Sequence, residues 1–156
     1  MAGSHDWVLL AYRMPREPSS PRIAVWRRIR KLGVAQIVDG LIALPADART
    51  REQLEWVAEQ VTDAGGEASL WVGRAGSKRQ ERELAAQMAA EVADAYRAVI
   101  SEAESAASRR DGAAKRTLGR LRRELRRIGQ RDFFPPPEGD RAGAAVEALA
   151  ALIEVD

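Results

Sequence analysis

The chain of 156 residues has no cysteine. Disulfides and thiolate metal centres are therefore excluded. There is one histidine, His5, inside the opening MAGSH, which reads either as a native start or as a cloning scar. A histidine metal site or catalytic triad is not expected from it. Aromatic residues make up only 5%. No apolar run approaches the roughly 18 residues that a membrane-spanning helix needs. No charged-then-apolar leader precedes a cleavage site, so the expectation is a cytoplasmic protein without membrane contact. No residue set calls for a catalytic role, a metal or a cofactor, and the expectation is a non-enzyme.

What the chain does have is charge, unevenly placed. The total is +2. Residues 109–131 hold ten basic and two acidic side chains, net +8. Residues 13–31 hold seven basic and one acidic, net +6, which leaves −12 for the remainder. Two positive segments on an acidic background suit contact with a polyanion, or pairing with the acidic segments.

The order of elements follows from periodicity and breakers. WVLLAYR (residues 7–13) is apolar on both faces, as in a central strand covered on both sides. Pro15, Pro18 and Pro21 interrupt it. Ser19 or Ser20 can cap a helix with Pro21 at its first position, running to Leu32 and closed by Gly33. On that helix Ile23, Val25, Trp26, Ile29 and Leu32 share one half, and Arg27, Arg28, Arg30 and Lys31 the other. In VAQIV-DG-LIALP, Asp39-Gly40 between two apolar runs marks a hairpin. A second helix over 48–64 has the stripe Leu54, Val57, Ala58, Val61 and ends at Gly65-Gly66. EASLWVG (67–73) is a fourth strand. The order β-α-β-β-α-β is the split-βαβ, ferredoxin-like pattern with an antiparallel sheet.

Residues 73–78 read as a joint, and the rest is helical. A long helix over 80–108 repeats Leu84, Met88, Val92, Tyr96, Val99 and Ala103. Asp111-Gly112 breaks it. A third helix over 113–131 carries Leu118, Leu121, Leu125 and Ile128. After Phe133-Phe134 and three prolines, a fourth helix is capped by Asp140, with Val146, Leu149, Ala150 and Ile153 as its stripe. The fold class is thus α+β: a ferredoxin-like unit over 1–75 and a helical unit over 76–156 packed on it. Tryptophans 7, 26, 56 and 71 read first as core or docking residues, with Trp56 the candidate for an inter-unit contact. Phe133 and Phe134 read as core anchors.

Three stretches together carry a resemblance. YRMPREPSSPRIAVWRRIRKLGV (12–34), GLIALP with REQLEWVAEQVTDAGGEASL (51–70), and LRRELRRIGQRDFF (121–134) resemble the N-terminal domain of the ChrB chromate resistance and regulatory family. The first strand and helix also resemble the middle domain of PaaX-type repressors, built like the CRISPR spacer-acquisition nucleases. The resemblance implies a chromate-responsive transcriptional regulator. Members of the family continue into a second domain, whose functions are not carried over. The nucleases hold a divalent metal with an aspartate at the end of the first strand. This chain has Arg13 there, and a cation repels the metal, so nuclease chemistry is a distant third reading.

Two candidate sites remain. Arg13, Arg16, Ser19, Ser20 and Arg22 flank a loop at a helix N-terminus, where free amides and arginine forks suit a tetrahedral oxyanion such as chromate. The plain alternative is a serine cap among solvated arginines. Arg27, Arg28, Arg30 and Lys31, with Arg116, Arg120, Arg122, Arg123, Arg126 and Arg127, are candidates for phosphate-backbone contact with DNA. The alternatives are a wet surface face over an apolar stripe, or pairing with Glu81, Glu83, Glu91, Asp94, Glu102 and Glu104 of the long helix. The functional reading is a DNA-contacting regulator. Its rival is an oxyanion-sensing or protein-interaction module without DNA. A homodimer would suit either.

Overall fold

A computed structural model describes residues 5–109 and 111–155. The first four residues of the MAGSH start and Arg110 lie outside the described set. The elements run β1 (Trp7–Arg13), α1 (Ser19–Leu32), β2 (Ala35–Val38), β3 (Leu41–Pro45), α2 (Ala48–Asp63), β4 (Glu67–Gly73), α3 (Lys78–Arg109), α4 (Ala114–Gln130) and α5 (Glu138–Val155). The chain divides into two compact units inside α3, one ending at Met88 and the other beginning at Ala89. No described helix is long and apolar enough to cross a membrane.

The first unit is ferredoxin-like. Its sheet order is β2-β3-β1-β4 with every neighbouring pair antiparallel, as the sequence order implies. Period-two alternation decides which side chains meet. Leu10 stands opposite Ile42 on β3 and Leu70 on β4, and Val8 opposite Leu44 and Val72. Val8, Leu10, Ile42 and Leu44 are buried, together with Val25 and Ile29 of α1 and Leu54, Val57 and Val61 of α2. Helix α2 lies against β1, β4 and α1. Its start is fixed by Asp47, whose carboxylate accepts from the Thr50 backbone N–H at 2.7 Å while the Thr50 hydroxyl accepts from the Asp47 N–H at 3.0 Å. That bond to Thr50 holds the Asp47 carboxyl below the usual range.

Two glycines tie the end of β1. Gly40, at φ 79°, turns the β2–β3 hairpin, and an added Cβ would stand 2.6 Å from the Tyr12 carbonyl oxygen. Tyr12 in turn donates its N–H to the Gly40 carbonyl at 2.8 Å. Gly66 lies so close to the Arg13 carbonyl that a Cβ would come within 2.4 Å. Only glycine permits both approaches. At the other end of β1, Glu81 accepts from the His5 N–H at 2.6 Å and from the Trp7 indole at 3.2 Å. The His5 bond is the main reason its carboxyl lies below the usual range.

The second unit is helical. Val92, Tyr96, Val99 and Ala103 of α3 meet Leu118, Leu121 and Ile128 of α4 and Val146, Leu149 and Ala150 of α5 in one buried cluster. The Tyr96 hydroxyl donates to Asp132 at 2.8 Å, which ties α3 to the turn between α4 and α5. Burial first, and then that bond, push the Tyr96 phenol up to about 12.

Three local readings need correction, and the tryptophans, read as core or docking residues, divide between buried and exposed. Ser19 and Ser20 are the first two residues of α1, not its cap. Pro18 occupies the N-cap with no side-chain hydrogen bond. Asp140 lies in the first turn of α5, which begins at Glu138. Phe133 and Phe134 are half-buried rather than core residues. Of the tryptophans only Trp7 is buried, while Trp26, Trp56 and Trp71 are 55%, 53% and 62% exposed. Periodicity places a side chain on a helix face but does not say how wide a stripe the neighbours cover. In α1 only Val25 and Ile29 are buried.

Candidate functional site

The oxyanion candidates sit on the surface after β1. Arg13, Arg16, Ser19, Ser20 and Arg22 are all exposed. Arg13 is engaged across the strands by Glu67 at 2.7 Å, the residue opposite it in the β1–β4 register. That hydrogen bond raises the guanidinium further above its ordinary value. No side-chain hydrogen bond caps the start of α1.

On α1 the basic residues take two roles. Arg28 donates to the Gln60 side chain at 3.2 Å and lies 6.0 Å from the centre of the Trp56 ring. Arg30 stands 5.1 Å from the Trp26 ring centre. Both are cation–π contacts at exposed positions. Arg27 and Lys31 are exposed and make no ion pair among the described residues. Trp26 sits on the opposite side of the buried Val25–Ile29 line from Arg28, which faces α2, so no helix of this layer covers the ring.

Helix α4 sorts its cations more sharply. With about 100° per residue, the buried line of Leu118, Leu121 and Ile128 occupies one side. Three of its arginines are pinned. Arg120 pairs with Glu102 of α3, Arg122 with Glu147 of α5 at 3.7 Å, and Arg127 with Glu124 at 3.5 Å. The free cations are Lys115, Arg116, Arg123 and Arg126, a crest in which Arg116 and Arg123 stand opposite the apolar line and Lys115 and Arg126 lean toward the Arg122 flank. All four are exposed, and none has an ion-pair partner among the described residues. Gly119 stands between the two halves of this crest, with only the Arg123 guanidinium within 4 Å of where its Cβ would be. From Lys115 to Arg126 the crest extends roughly 16 Å at about 1.5 Å per residue. The structure thus separates six sequence candidates into three pinned (Arg120, Arg122, Arg127) and three free (Arg116, Arg123, Arg126), and adds Lys115.

Of the long-helix carboxylates offered as partners for α4, Glu102 alone among the described residues forms such a pair. Glu81 serves Trp7, Glu83 pairs with Arg79 at 3.1 Å, and Asp94 with Arg97. Within the second unit an open cleft of about 560 Å³ is lined by Arg97, Ile100, Ser101, Glu104, Glu138 and Arg141. Its charges balance, and Arg97 is already bound to Glu138 at 2.7 Å. Among the described residues no group of three or more acidic or histidine side chains could hold a metal ion. Sequence reasoning missed the Tyr96–Asp132 pair. Nothing local signals a contact between residues 36 positions apart. The other Asp132 carboxylate oxygen is buried without a partner.

The sheet order and helical second unit define an α+β protein of ferredoxin-like type carrying two arginine-rich helices. Comparison with known proteins places it more narrowly. The family model described as "Protein ChrB, N-terminal" matches residues 22–109, and the chain belongs to that family. It is 29% identical over 152 residues to Protein ChrB of Cupriavidus metallidurans. That match covers 96% of this chain and 47% of the relative, so the chain spans about half the length of the curated protein it matches. No solved structure matches the chain significantly.

Proposed function

We propose that this protein acts in chromate resistance as a regulator that grips the DNA phosphate backbone with the crest of α4. The observation that carries the reading is the free set Lys115, Arg116, Arg123 and Arg126, exposed and unpaired while their neighbours on the same helix are tied to carboxylates. Unpaired arginines and lysines bind phosphates by releasing condensed counterions. The crest, roughly 16 Å long by helix rise, exceeds the major-groove width of about 12 Å, and Gly119 removes bulk from its centre. Such contacts position a protein without reading bases. The action is binding, not catalysis. Arg13 ends β1, and a cation there does not suit a divalent metal.

Fluorescence anisotropy with an operator duplex and a random duplex tests this at two salt concentrations. The expected result is similar affinity for both duplexes and a steep salt dependence. The triple variant Arg116→Ala, Arg123→Ala, Arg126→Ala should flatten the log–log salt slope by about 3, near one per phosphate contact. The pinned control Arg120→Ala, Arg122→Ala should change it less. Absence of binding by the wild type at low salt would defeat the proposal.

A second reading rests on the uncapped α1 start. Arg16 and Arg22, with the free amides at Ser19 and Ser20, would hold chromate or a similar oxyanion as the signal. Titration with chromate and sulfate, with Arg16→Ala and Arg22→Ala, tests it. Undiminished binding in that double variant would remove the loop from consideration.

A further inference from the structure

The α1–α2 layer leaves an unusual surface. The outward side of α1 is basic, with Arg27, Arg30 and Lys31 exposed. The outward side of α2 is acidic, with Glu52, Glu59 and Asp63 exposed. None of the six makes an ion pair among the described residues. Instead Arg30 lies on Trp26, and Glu52 accepts from the Trp56 indole at 3.4 Å. Trp56 and Ile23, both exposed, lie on this outward surface, and Trp26, also more than half exposed, stands at its edge on the flank of α1 away from α2. Exposed tryptophan beside arginine is the composition of interface hot spots. A positive helix next to a negative one is complementary to a copy of itself, provided the copy is turned so that unlike helices face.

We propose that this surface is the interface of a homodimer, formed by two copies of the chain through their α1–α2 layers. The two-fold axis lies in the interface plane and runs along the seam between α1 and α2. Rotation about that axis sets α1 of one copy on α2 of the other, and the reverse, as an isologous contact requires. An axis across the helices would stack basic on basic, which charge forbids. Two helices of 14 and 16 residues are about 21 and 24 Å long at about 1.5 Å per residue. Their combined face is at the small end of stable interfaces. The dimer should therefore be weak, on the order of micromolar, and sensitive to salt. The pairing does not depend on the DNA reading. It removes Arg27, Arg30 and Lys31 from any DNA contact in the dimer and leaves that role to α4.

Sedimentation equilibrium on the intact chain tests the proposal. The wild type should pass from monomer to dimer around ten micromolar or above. The variants Arg27→Glu with Lys31→Glu, and Glu59→Lys with Asp63→Lys, should each be monomeric with unchanged circular dichroism. An equimolar mixture of the two should regain the dimer mass, because each now presents what the other lacks. A wild type that stays monomeric near millimolar concentration would overturn the proposal. So would a dimer that survives either charge reversal, or a mixture of folded variants that stays monomeric. The α4 triple variant should dimerise like the wild type, which separates a failure of this interface from a failure of DNA binding.

Discussion

Helices α1 and α4 carry similar strings of arginine over a narrow apolar line, yet their surroundings give those arginines different work. In α4 the neighbours are carboxylates on α3, on α5 and within α4 itself, and they tie down Arg120, Arg122 and Arg127. What remains free is an ordered crest. In α1 two arginines lie on tryptophan rings, and no arginine of the helix makes an ion pair among the described residues. The adjacent helix supplies an acidic outer side instead. One helix carries free cations outside a set of pinned ones, and the other stands beside an outer side of opposite sign. A cluster of arginines is thus a signal whose meaning is set by what stands next to it.

The comparison can be broken most severely at the apolar lines. Leu121 and Ile128 are almost fully buried in the second unit. Leu121→Ala should cost about 2–5 kcal/mol, the usual range for emptying such a site, in urea or thermal unfolding. On α1, Trp26→Ala removes a larger ring that is more than half exposed. Its effect on monomer stability should stay within about 0.5 kcal/mol. Equal losses would mean that the outward half of α1 is part of the core.

The Tyr96–Asp132 bond is the next largest. Tyr96→Phe leaves both oxygens of a part-buried carboxylate without that donor, at a cost of about 1–3 kcal/mol. The sign with pH follows from the phenol. An unfolded tyrosine loses its proton near pH 10 by its ordinary value, and the folded one near about 12. The stabilisation is complete below about pH 10 and is lost as pH rises through about 12. Wild-type stability should therefore fall over that alkaline window, by an amount missing from Tyr96→Phe.

The first unit has its own local lock. Asp47→Ala removes the N-cap of α2 and should cost about 1 kcal/mol. Since the Asp47 carboxyl is held below the usual range, its contribution is present above the ordinary carboxylate pKa and fades as pH falls through the folded value. The smallest effect belongs to the flanks of α4. Arg120→Ala breaks an exposed pair with Glu102 and should change stability by about 0–1 kcal/mol. It should leave DNA affinity closer to wild type than Arg123→Ala does, which sharpens the division between pinned and free arginines.

The chain order was readable because its signals are local. Asp39-Gly40 needs only two residues to announce a hairpin, Gly33 one to end a helix, and the stripes of α3 and α4 repeat at fixed spacing. The ends of helices were less legible. Ser19 and Asp140 are both good capping residues, yet the helices begin around them, because a cap depends on where the preceding chain enters. The tryptophans were legible only as a choice between core and docking, and the sequence did not say which of them would be exposed. An apolar ring is buried only if another element arrives to cover it, and around Trp26 none of the layer's elements does.

By itself the sequence determined the α+β class, the β-α-β-β-α-β order, the apolar lines and the placing of charge in two segments. These follow from backbone preference and periodicity, which act over a few residues. The tertiary structure decided which arginines are spent on carboxylates and which stay free. It also set a basic α1 beside an acidic α2 and brought Tyr96 to Asp132. Those outcomes are pairings between distant segments, and pairing is a property of the packed chain.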